Sequence, residues 1–345
     1  MIKYITDENF NIYEEYVRTH HNGHFLQSYH WAKFKSERVS YPLLSLDDTG
    51  NPRGAMLILV HDEPILKTCI LYSPRGPIAD NSEAVKELIA EAGKIAKKHN
   101  AYMLTVDPDI TETDDLFKHL TDSGLKIGPA KDEMGILQPL AVFRIDIKDK
   151  TDDELMSMFH SKARYSIRAA LKSGAVCRIG TKDELPAFQK LLVETAARDN
   201  FTPRGIKYFE NMFSSLPVED CKLFVVEYEG EIIAGSVLIV HGDKSWHLYG
   251  ASSDIHRDKL PNFLMQWEMI RYSITRGCRY YDMRGVAGEK DKTKPLEGLF
   301  RFKKRFGGEL LTFAGRLDLV YKPGTKRALD AARKIKKLSR KILGR

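Results

Sequence analysis

The residues best suited to chemistry are cations interleaved with aromatic residues near the C-terminal end of the chain. In the segment FRFKKRFGG, Lys303, Lys304 and Arg305 lie between Phe302 and Phe306 and precede two glycines. Arginine binds phosphate as a planar fork and lysine as a compact charge. Such a run can also be a solvated loop, but its position between two aromatic residues favours a binding surface.

A second candidate is the carboxylate of Asp107 in the sequence VDPD, directly after the apolar run AYMLT. The run predicts a strand, and loops at strand ends assemble the active sites of α/β proteins. A carboxylate there could position an ammonium group or accept its proton, although an ordinary carboxylate is a weak base. The alternative is a turn residue before Pro108.

The elements that position such residues are clearest between Trp246 and Gly308. The order is a strand, a polar loop, a helix, a second strand and the basic aromatic segment. Pro261 suits the first helical position and Gly277 the helix end, which predicts a helix over about residues 261–276. This order resembles the core of GNAT-type acyltransferases, whose glycine-rich loop before the helix grips coenzyme A. Here that loop reads RDKLPN, whose proline and bulky side chains make a poor phosphate site.

The first half of the chain repeats this order. GAMLILVH and CILYSPRGP are predicted strands, residues 81–99 have a helical pattern, and AYMLTVDPD is the next strand. Tyr72 precedes Asp107 by nearly the same separation as Tyr249 precedes Asp282. The parallel favours two copies of one α/β unit.

Length and composition agree with two domains. The chain has 345 residues, 43% of them hydrophobic, enough for two cores. The T-D-D-E capping box at Thr151 predicts that the second copy begins there, with a boundary near residues 145–150. We find no signal-peptide pattern and no apolar run approaching the roughly 18 residues of a spanning helix, which predicts a soluble or peripheral protein. The four cysteines form no C-x-x-C pair and favour free thiols over disulfides or zinc.

Positive charge is concentrated at the C-terminal end. Residues 322–345 contain ten Lys or Arg against one acid, a net charge of +9, whereas the whole chain carries +7. Apolar residues there follow three- and four-residue steps, which predicts a basic helix with one apolar stripe: Leu329, Ala332, Ile335, Leu338 and Ile342. Such a helix could bind tRNA phosphates or an anionic membrane. Alternatively, the stripe packs on the body and the charges are solvated.

Several short sequences together resemble the Fem family (FemABX), the aminoacyl-tRNA-dependent transferases that build peptidoglycan side bridges. They occur in the family's order and cover roughly residues 25–320: FLQSYHWAKFK at 25–35, SPRGP at 73–77, VDPD at 106–109, RYSIRAALKSG at 164–174, RDNFTPRGIKYF at 198–209, then YGASS, PNFLMQWEMI, YYDMRG and EGLFRFKKRFGG. Any one could be chance, but the set in order is a strong signal.

The resemblance implies an α/β (α+β) fold of two tandem GNAT-like domains, residues 1–147 and 148–316, with the C-terminal segment 317–345 joining the first. Only a short segment separates Tyr208 from the strand at Cys221. The coiled-coil arm of some members is therefore expected to be absent, which suggests a monomer. The expected location is the cytoplasm, with peripheral contact at the inner membrane face.

The reaction implied by the resemblance is amide formation from an ester. An amino acid on aminoacyl-tRNA is transferred to the stem-peptide amine of a peptidoglycan precursor, either UDP-MurNAc-pentapeptide or lipid II. The reaction requires positioning of the amine, removal of a proton and stabilisation of an oxyanion. It implies neither a metal nor another cofactor.

The resemblance also assigns residues to the precursor. Lys35 matches the lysine that binds the precursor's diphosphate, with Arg204 and Tyr208 as its partners across the cleft. Tyr249 matches the tyrosine at the substrate, and Asp107 matches the acidic residue at the acceptor amine. Without the resemblance, Lys35 would be a solvated helix lysine and Tyr249 a core aromatic residue.

At the donor, Phe302 and Lys303 match an aromatic residue and a lysine placed against the tRNA end and the developing oxyanion. Lys304 and Arg305 are expected to contact tRNA phosphates. The catalytic residues implied are therefore Lys303, Asp107 and Phe302.

Two other functions stay open at this point. One is a coenzyme A-dependent N-acyltransferase on the same fold, and the other is a tRNA- or RNA-binding protein without catalysis, suggested by the basic tail. His20, His21 and His24 could suggest a metal site, but no acid or cysteine completes a set with them, which favours a surface loop.

Overall fold

The computed structural model describes residues 1–129, 137–286 and 294–342. The chain forms two compact units, Met1–Gln138 with Phe313–Arg345, and Pro139–Thr312.

The first unit is built on one mixed sheet. Its strands are β1 (Ile2–Tyr4), β2 (Ser40–Leu46), β3 (Pro52–Glu63), β4 (Thr68–Ser73), β5 (Ile78–Ala79), β6 (Ala101–Val106), β7 (Lys126–Ile127) and, from the end of the chain, β15 (Leu317–Val320). Its helices are α1 (Phe10–Thr19), α2 (Tyr29–Phe34), α3 (Ser82–Lys98), α4 (Asp115–Asp122) and α11 (Pro323–Ile342). The strand order is β1-β2-β3-β4-β6-β15-β7, with β5 paired to β3.

The second unit has its own sheet. Its strands are β8 (Ala141–Asp146), β9 (Val176–Ile179), β10 (Cys221–Tyr228), β11 (Glu231–His241), β12 (Lys244–Ser252), β13 (Tyr280–Val286) and β14 (Glu309–Thr312). Its helices are α5 (Asp152–Met158), α6 (Ser161–Leu171), α7 (Leu185–Asp199), α8 (Ile206–Ser215), α9 (Pro261–Thr275) and α10 (Lys294–Lys304). The strand order is β14-β8-β13-β12-β11-β10-β9.

Apart from β5, the two sheets have the same strand order. In each, four antiparallel strands lead into a parallel pair joined by a helix, β4-α3-β6 in the first unit and β12-α9-β13 in the second. A parallel pair needs such a crossover because its strands run in the same direction. The predicted repeat of one α/β unit is confirmed.

In each unit, the second strand of the parallel pair has a neighbour on its other side that lies far from it in the sequence. β15 follows the whole second unit and pairs with β6, whereas β8 precedes the rest of its sheet and pairs with β13. The units therefore divide at Gln138/Pro139 and Thr312/Phe313, not at residues 147/148 and 316/317 as expected. The capping box at Thr151 marks a helix start inside the second unit, after β8 has already joined its sheet.

Several local predictions are confirmed. Helix α9 begins at Pro261 and ends at Thr275, one residue before the predicted end, and Gly277 follows with φ +73°. Strands β10 and β11 form a hairpin that turns at Glu229 and Gly230, both with positive φ.

Each sheet buries one face under its crossover helix. Helix α3 contributes most of its apolar residues to the first core, and α9 contributes to the second together with Phe159 and Phe306. All four cysteines are free thiols, three of them buried and Cys177 partly buried. Within the described part of the chain, no helix is long and apolar enough to cross a membrane.

A buried ion pair fixes the returning strand β15. Arg316 Nε donates to Asp318 Oδ1 at 2.7 Å, with both side chains less than a tenth exposed. Thr105 Oγ1 on β6 donates to the same oxygen at 2.8 Å.

We expect Arg316→Leu to lower the free energy of unfolding by about 3–5 kcal/mol, because it leaves the Asp318 carboxylate buried without its cation. Urea denaturation measures the change. The control is Lys33→Leu, which breaks the exposed ion pair with Asp7 and should barely move the midpoint. Equal midpoints for the two variants would show that the buried pair does not hold β15.

Candidate active site

The second sheet opens where two parallel strands stop pairing. β12 and β13 pair only over Lys244–Trp246 and Tyr280–Asp282, although both strands continue beyond this point. In the first unit, by contrast, β4 stays paired with β6 from Cys69 to Ser73. The second unit therefore has a gap between neighbouring strands at the position where the first is closed.

A bulge in β12 turns the strand at the gap. Tyr249 has a left-handed backbone with φ +54°, and the register between β11 and β12 shifts between Gly235 and Val237. Bulges bend a strand and redirect its side chains. Gly250 follows, and a Cβ there would lie 2.9 Å from His247 Nε2. A side chain at residue 250 would therefore press against the imidazole.

A cavity of about 840 Å³ opens at this gap. Its walls come from β12, the first turns of α9, helix α10 and the end of α7: His247, Gly250, Ala251, Ser252, Asn262, Met265, Gln266, Gly298, Leu299, Phe302, Thr195, Arg198, Asp199, Asn200 and Phe201. Its volume and mixed polar and apolar walls suit an organic ligand.

Side chains bond the backbone groups that the parted strands leave unpaired. Lys303 Nζ donates to the carbonyl oxygens of Arg284 at 3.1 Å and Gly285 at 2.8 Å. On the other strand, the Ser252 N–H donates to Thr195 Oγ1 at 3.0 Å. Buried backbone groups need partners, so these side chains stabilise the gap.

Lys303 carries an unusual proton equilibrium. Its side chain is 4% exposed, and burial lowers its pKa from 10.5 to about 7, with Arg284 lowering it further and Asp282 opposing the shift. The amine can therefore gain or lose a proton near neutral pH. Phe302, the preceding residue, lines the cavity and stacks edge-on against Phe263 at 5.0 Å.

His247 was not identified from the sequence as a site residue. Burial, and next the Lys303 cation, lower its pKa to about 3, while a hydrogen bond with the Met283 backbone opposes the shift. The imidazole is therefore neutral, and among the described residues its Nε2 has no hydrogen-bond partner. A neutral imidazole with one bonded nitrogen offers a lone pair on the other. The available signal was its position two residues before Tyr249 on the same strand.

Three predicted substrate-binding residues lie together in the second unit. The Tyr208 and Tyr249 hydroxyls are 2.8 Å apart, and the Arg204 guanidinium lies 5.1 Å from the centre of the Tyr208 ring. Burial raises the pKa of Tyr249, so its hydroxyl stays protonated. The cluster offers hydrogen-bond donors and a cation, the groups that bind phosphate oxygens.

The fourth, Lys35, lies in the first unit. It follows helix α2, with its ammonium 4.4 Å from the centre of the Phe34 ring and 5.3 Å from the Trp31 ring. Burial lowers the pKa of His61 to about 4, and the Arg38 and Lys35 cations lower it further. Lys35 therefore belongs to a small cationic neighbourhood.

Asp107 also lies in the first unit and is 3% exposed. Its carboxylate accepts hydrogen bonds from the Tyr72 hydroxyl at 2.7 Å and from the N–H groups of Arg75 and Gln138, both at 2.8 Å. Burial raises its pKa. With three donors bound, the carboxylate holds the loop after β4 in place.

The remaining predicted residues lie at the end of α10. Lys304 is exposed and Arg305 is half-buried. The Arg305 carbonyl accepts a hydrogen bond from the His160 N–H at 2.8 Å, which joins α10 to the start of α6. Within the described residues, no group of three or more His, Cys, Asp or Glu side chains could hold a metal ion.

Comparison with known proteins gives matches along the chain. The model of the FemAB family matches residues 5–229 and 218–334. The lipid II:glycine glycyltransferase of Staphylococcus aureus (strain USA300) is 30% identical, covering 89% of this chain and 90% of that protein. The protein of that name from Staphylococcus epidermidis (strain ATCC 12228 / FDA PCI 1200) is 29% identical with the same coverage. The alignment with the Staphylococcus aureus protein runs over 388 positions, more than the 345 residues of this chain. The Staphylococcus aureus protein therefore carries segments that this chain lacks.

Solved structures agree. The crystal structure of FemX has a TM-score of 0.87 at 27% identity, covering 95% of this chain and 99% of that one. A tandem GNAT protein from the clavulanic acid biosynthesis pathway has a TM-score of 0.56 at 10% identity, covering 94% and 100%. The tandem GNAT protein therefore shares the fold of this chain, which confirms the predicted GNAT-like architecture.

The pKa of Lys303 predicts a pH-dependent stability. Because the folded pKa is about 7 and the ordinary value is 10.5, only the unfolded chain holds this proton between those values. The wild type should therefore gain free energy of unfolding relative to Lys303→Met as pH rises through that interval. Urea denaturation measures the difference, with Lys304→Met as the exposed control. A difference that does not change with pH would contradict the lowered pKa.

Proposed function

Because the chain belongs to the FemAB family, we propose that it transfers an amino acid from aminoacyl-tRNA to the stem-peptide amine of a peptidoglycan precursor, forming the interpeptide bridge. The observation that carries the proposal is the match over 89% of the chain to relatives named lipid II:glycine glycyltransferase. Those names make glycine and lipid II the first substrates to test, with UDP-MurNAc-pentapeptide as the soluble acceptor.

We assign the aminoacyl end of the donor to the cavity in the second unit. Its volume of about 840 Å³ and the Phe302 ring in its wall support this assignment, because aromatic faces stack on nucleotide bases. Lys304 and Arg305 follow on the same segment and supply cations for tRNA phosphates.

The proposed chemistry is attack of a neutral stem-peptide amine on the ester carbonyl. The new C–N bond forms, the C–O bond to the ribose breaks, and the amine proton ends on the ribose oxygen. In its protonated form Lys303 would stabilise the intermediate oxyanion. Its pKa of about 7 also lets the amine take up and release a proton during the transfer. The neutral imidazole of His247 is a hydrogen-bond acceptor for the bound donor.

For the precursor we propose Lys35 of the first unit and the Arg204, Tyr208 and Tyr249 cluster of the second. In the first unit, Lys35 would bind the precursor's diphosphate as a compact charge. In the second unit, the Arg204 guanidinium and the tyrosine hydroxyls would donate to phosphate oxygens. We also propose Asp107 as the acidic residue at the acceptor amine, with its carboxylate fixed in place by its three bound donors. We further propose that the protein acts as a monomer at the cytoplasmic face of the membrane.

A coenzyme A-dependent acyl transfer on the same fold is the alternative. The loop before α9 favours the tRNA-dependent reaction, because bulky side chains and Pro261 stand where a coenzyme A enzyme has a glycine-rich loop, and Arg257 is already paired with Asp254 at 2.7 Å. Calorimetric titration with acetyl-CoA separates the two. Micromolar binding would favour the coenzyme A reaction.

The direct test is transfer of radiolabelled amino acids from charged tRNA to lipid II in detergent and, in parallel, to UDP-MurNAc-pentapeptide. We expect label in at least one acceptor, with glycine as the first amino acid tried. No label in either acceptor with any charged amino acid would overturn the proposal.

In that assay we expect Lys303→Ala to lower turnover by about 100-fold, the usual loss when one oxyanion donor is removed. Lys304→Ala, one residue along the same helix, should keep near-normal turnover at saturating tRNA. Circular dichroism shows whether each variant is folded. A folded Lys303→Ala protein with normal turnover would remove the lysine from the reaction.

We also expect Lys35→Ala and Arg204→Ala each to raise KM for the precursor about tenfold, as for the loss of one charged hydrogen bond, with a smaller effect on kcat. The matched control is Lys33→Ala, two residues from Lys35 and bonded to Asp7 at 3.0 Å. If Lys33→Ala and Lys35→Ala had equal effects on KM, the diphosphate would not be bound by Lys35.

A further inference from the structure

The basic helix α11 is held on the first unit by one face. Leu329 is fully buried there and packs with Ile70, Tyr102 and Met103. One turn later, Arg333 Nη2 donates to Glu63 Oε2 at 2.5 Å, with both side chains mostly buried. The start of the helix is therefore fixed to the body of the unit.

The apolar residues on the other side of the helix are exposed. Ile335 is 67% exposed, and Ala328 and Ala331 are exposed as well. Steps of three and four residues place these three on one helix face, away from Leu329. The single stripe expected from the sequence is therefore divided, with Leu329 facing the body and Ile335 facing solvent. In the sequence, the same spacing continues to residues 338 and 342.

A neighbouring turn adds two more exposed aliphatic residues. The 3-10 turn Pro64–Leu66 packs against α11, and its Ile65 and Leu66 are 53% and 44% exposed. Glu63 lies two residues before Ile65, and Arg333 lies two residues before Ile335. The Arg333–Glu63 hydrogen bond therefore joins the two segments that present these aliphatic side chains. We call Ile65, Leu66, Lys67, Lys334 and Ile335 the tail surface.

We propose that the tail surface docks on an anionic lipid bilayer. Aliphatic side chains presented by two separate segments, beside a tail of net charge +9, suit the boundary between headgroups and acyl chains. The cations attract acidic headgroups while the aliphatic residues leave water. This surface is separate from the residues assigned to transfer, and bilayer binding can be measured without that reaction.

Two other partners fit the tail surface less well. RNA phosphates would be bound by the cations alone, which would leave the exposed aliphatic side chains in water. A second copy of the chain would bring two tails of the same strong positive charge together, which repel.

The test is co-sedimentation of the full chain with vesicles of phosphatidylcholine alone or mixed with phosphatidylglycerol. We expect binding to the mixed vesicles only, weakening as salt is raised. Combining Leu66→Ser with Ile335→Ser should lower the apparent partition coefficient at least about tenfold, because two aliphatic side chains no longer leave water. The matched control is Ile127→Ser on β7, since Ile127 is 62% exposed, and its binding should equal that of the wild type.

Three results would overturn the proposal. They are equal vesicle binding by the double variant and the wild type, tail-dependent binding of tRNA without binding of vesicles, and a dimer in light scattering that the double variant converts to monomer without any vesicle binding. Transfer to soluble UDP-MurNAc-pentapeptide should be unchanged in the double variant. Loss of vesicle binding by the double variant, with this transfer intact, supports the docking surface. If the wild type showed no transfer at all, the proposed reaction would be contradicted and the docking surface would not.

Discussion

The parting of β12 from β13 after Trp246 is the constraint on which the candidate site depends. Strands that separate inside a protein leave N–H and carbonyl groups that must be bonded elsewhere. Lys303 bonds two such carbonyls and Thr195 bonds an N–H of the opposite strand. The burial that Lys303 needs to reach those carbonyls also lowers its pKa to about 7. The separation of β12 from β13 therefore accounts both for the gap and for the lowered pKa of Lys303.

The two units show how one topology gives different local chemistry. In the first, the Tyr72 hydroxyl bonds Asp107 at 2.7 Å, next to strands that stay paired. In the second, the bulge at Tyr249 brings its hydroxyl to Tyr208, and Asp282 bonds Arg144 at 3.1 Å instead. The repeat expected from the sequence holds for strand order and not for these hydrogen bonds.

Features encoded by a few adjacent residues could be predicted from the sequence. Pro261 and Gly277 define helix α9 because their backbone restrictions act locally. The neutral imidazole of His247 could not be predicted, because it depends on burial and on the Lys303 cation, which helix α10 brings to strand β12. The division at Gln138/Pro139 lies before the boundary expected near residues 145–150 for a similar reason, since β8 joins its sheet by pairing with a strand much later in the chain. Leu329 and Ile335 fit one stripe by spacing, and only the packing of α11 separates them.

Strand β15 links the sheet of the first unit to the proposed membrane surface. It lies between β6 and β7, and Leu317 is opposite Val106, the residue before Asp107. After β15 the N–H groups of Tyr321 and Lys322 donate to the Tyr102 carbonyl at 2.9 and 3.0 Å, which sets the direction in which α11 leaves the sheet. A bilayer bound by α11 would therefore have a defined orientation relative to the first unit. The strand that completes the fold would then also orient the unit on the membrane.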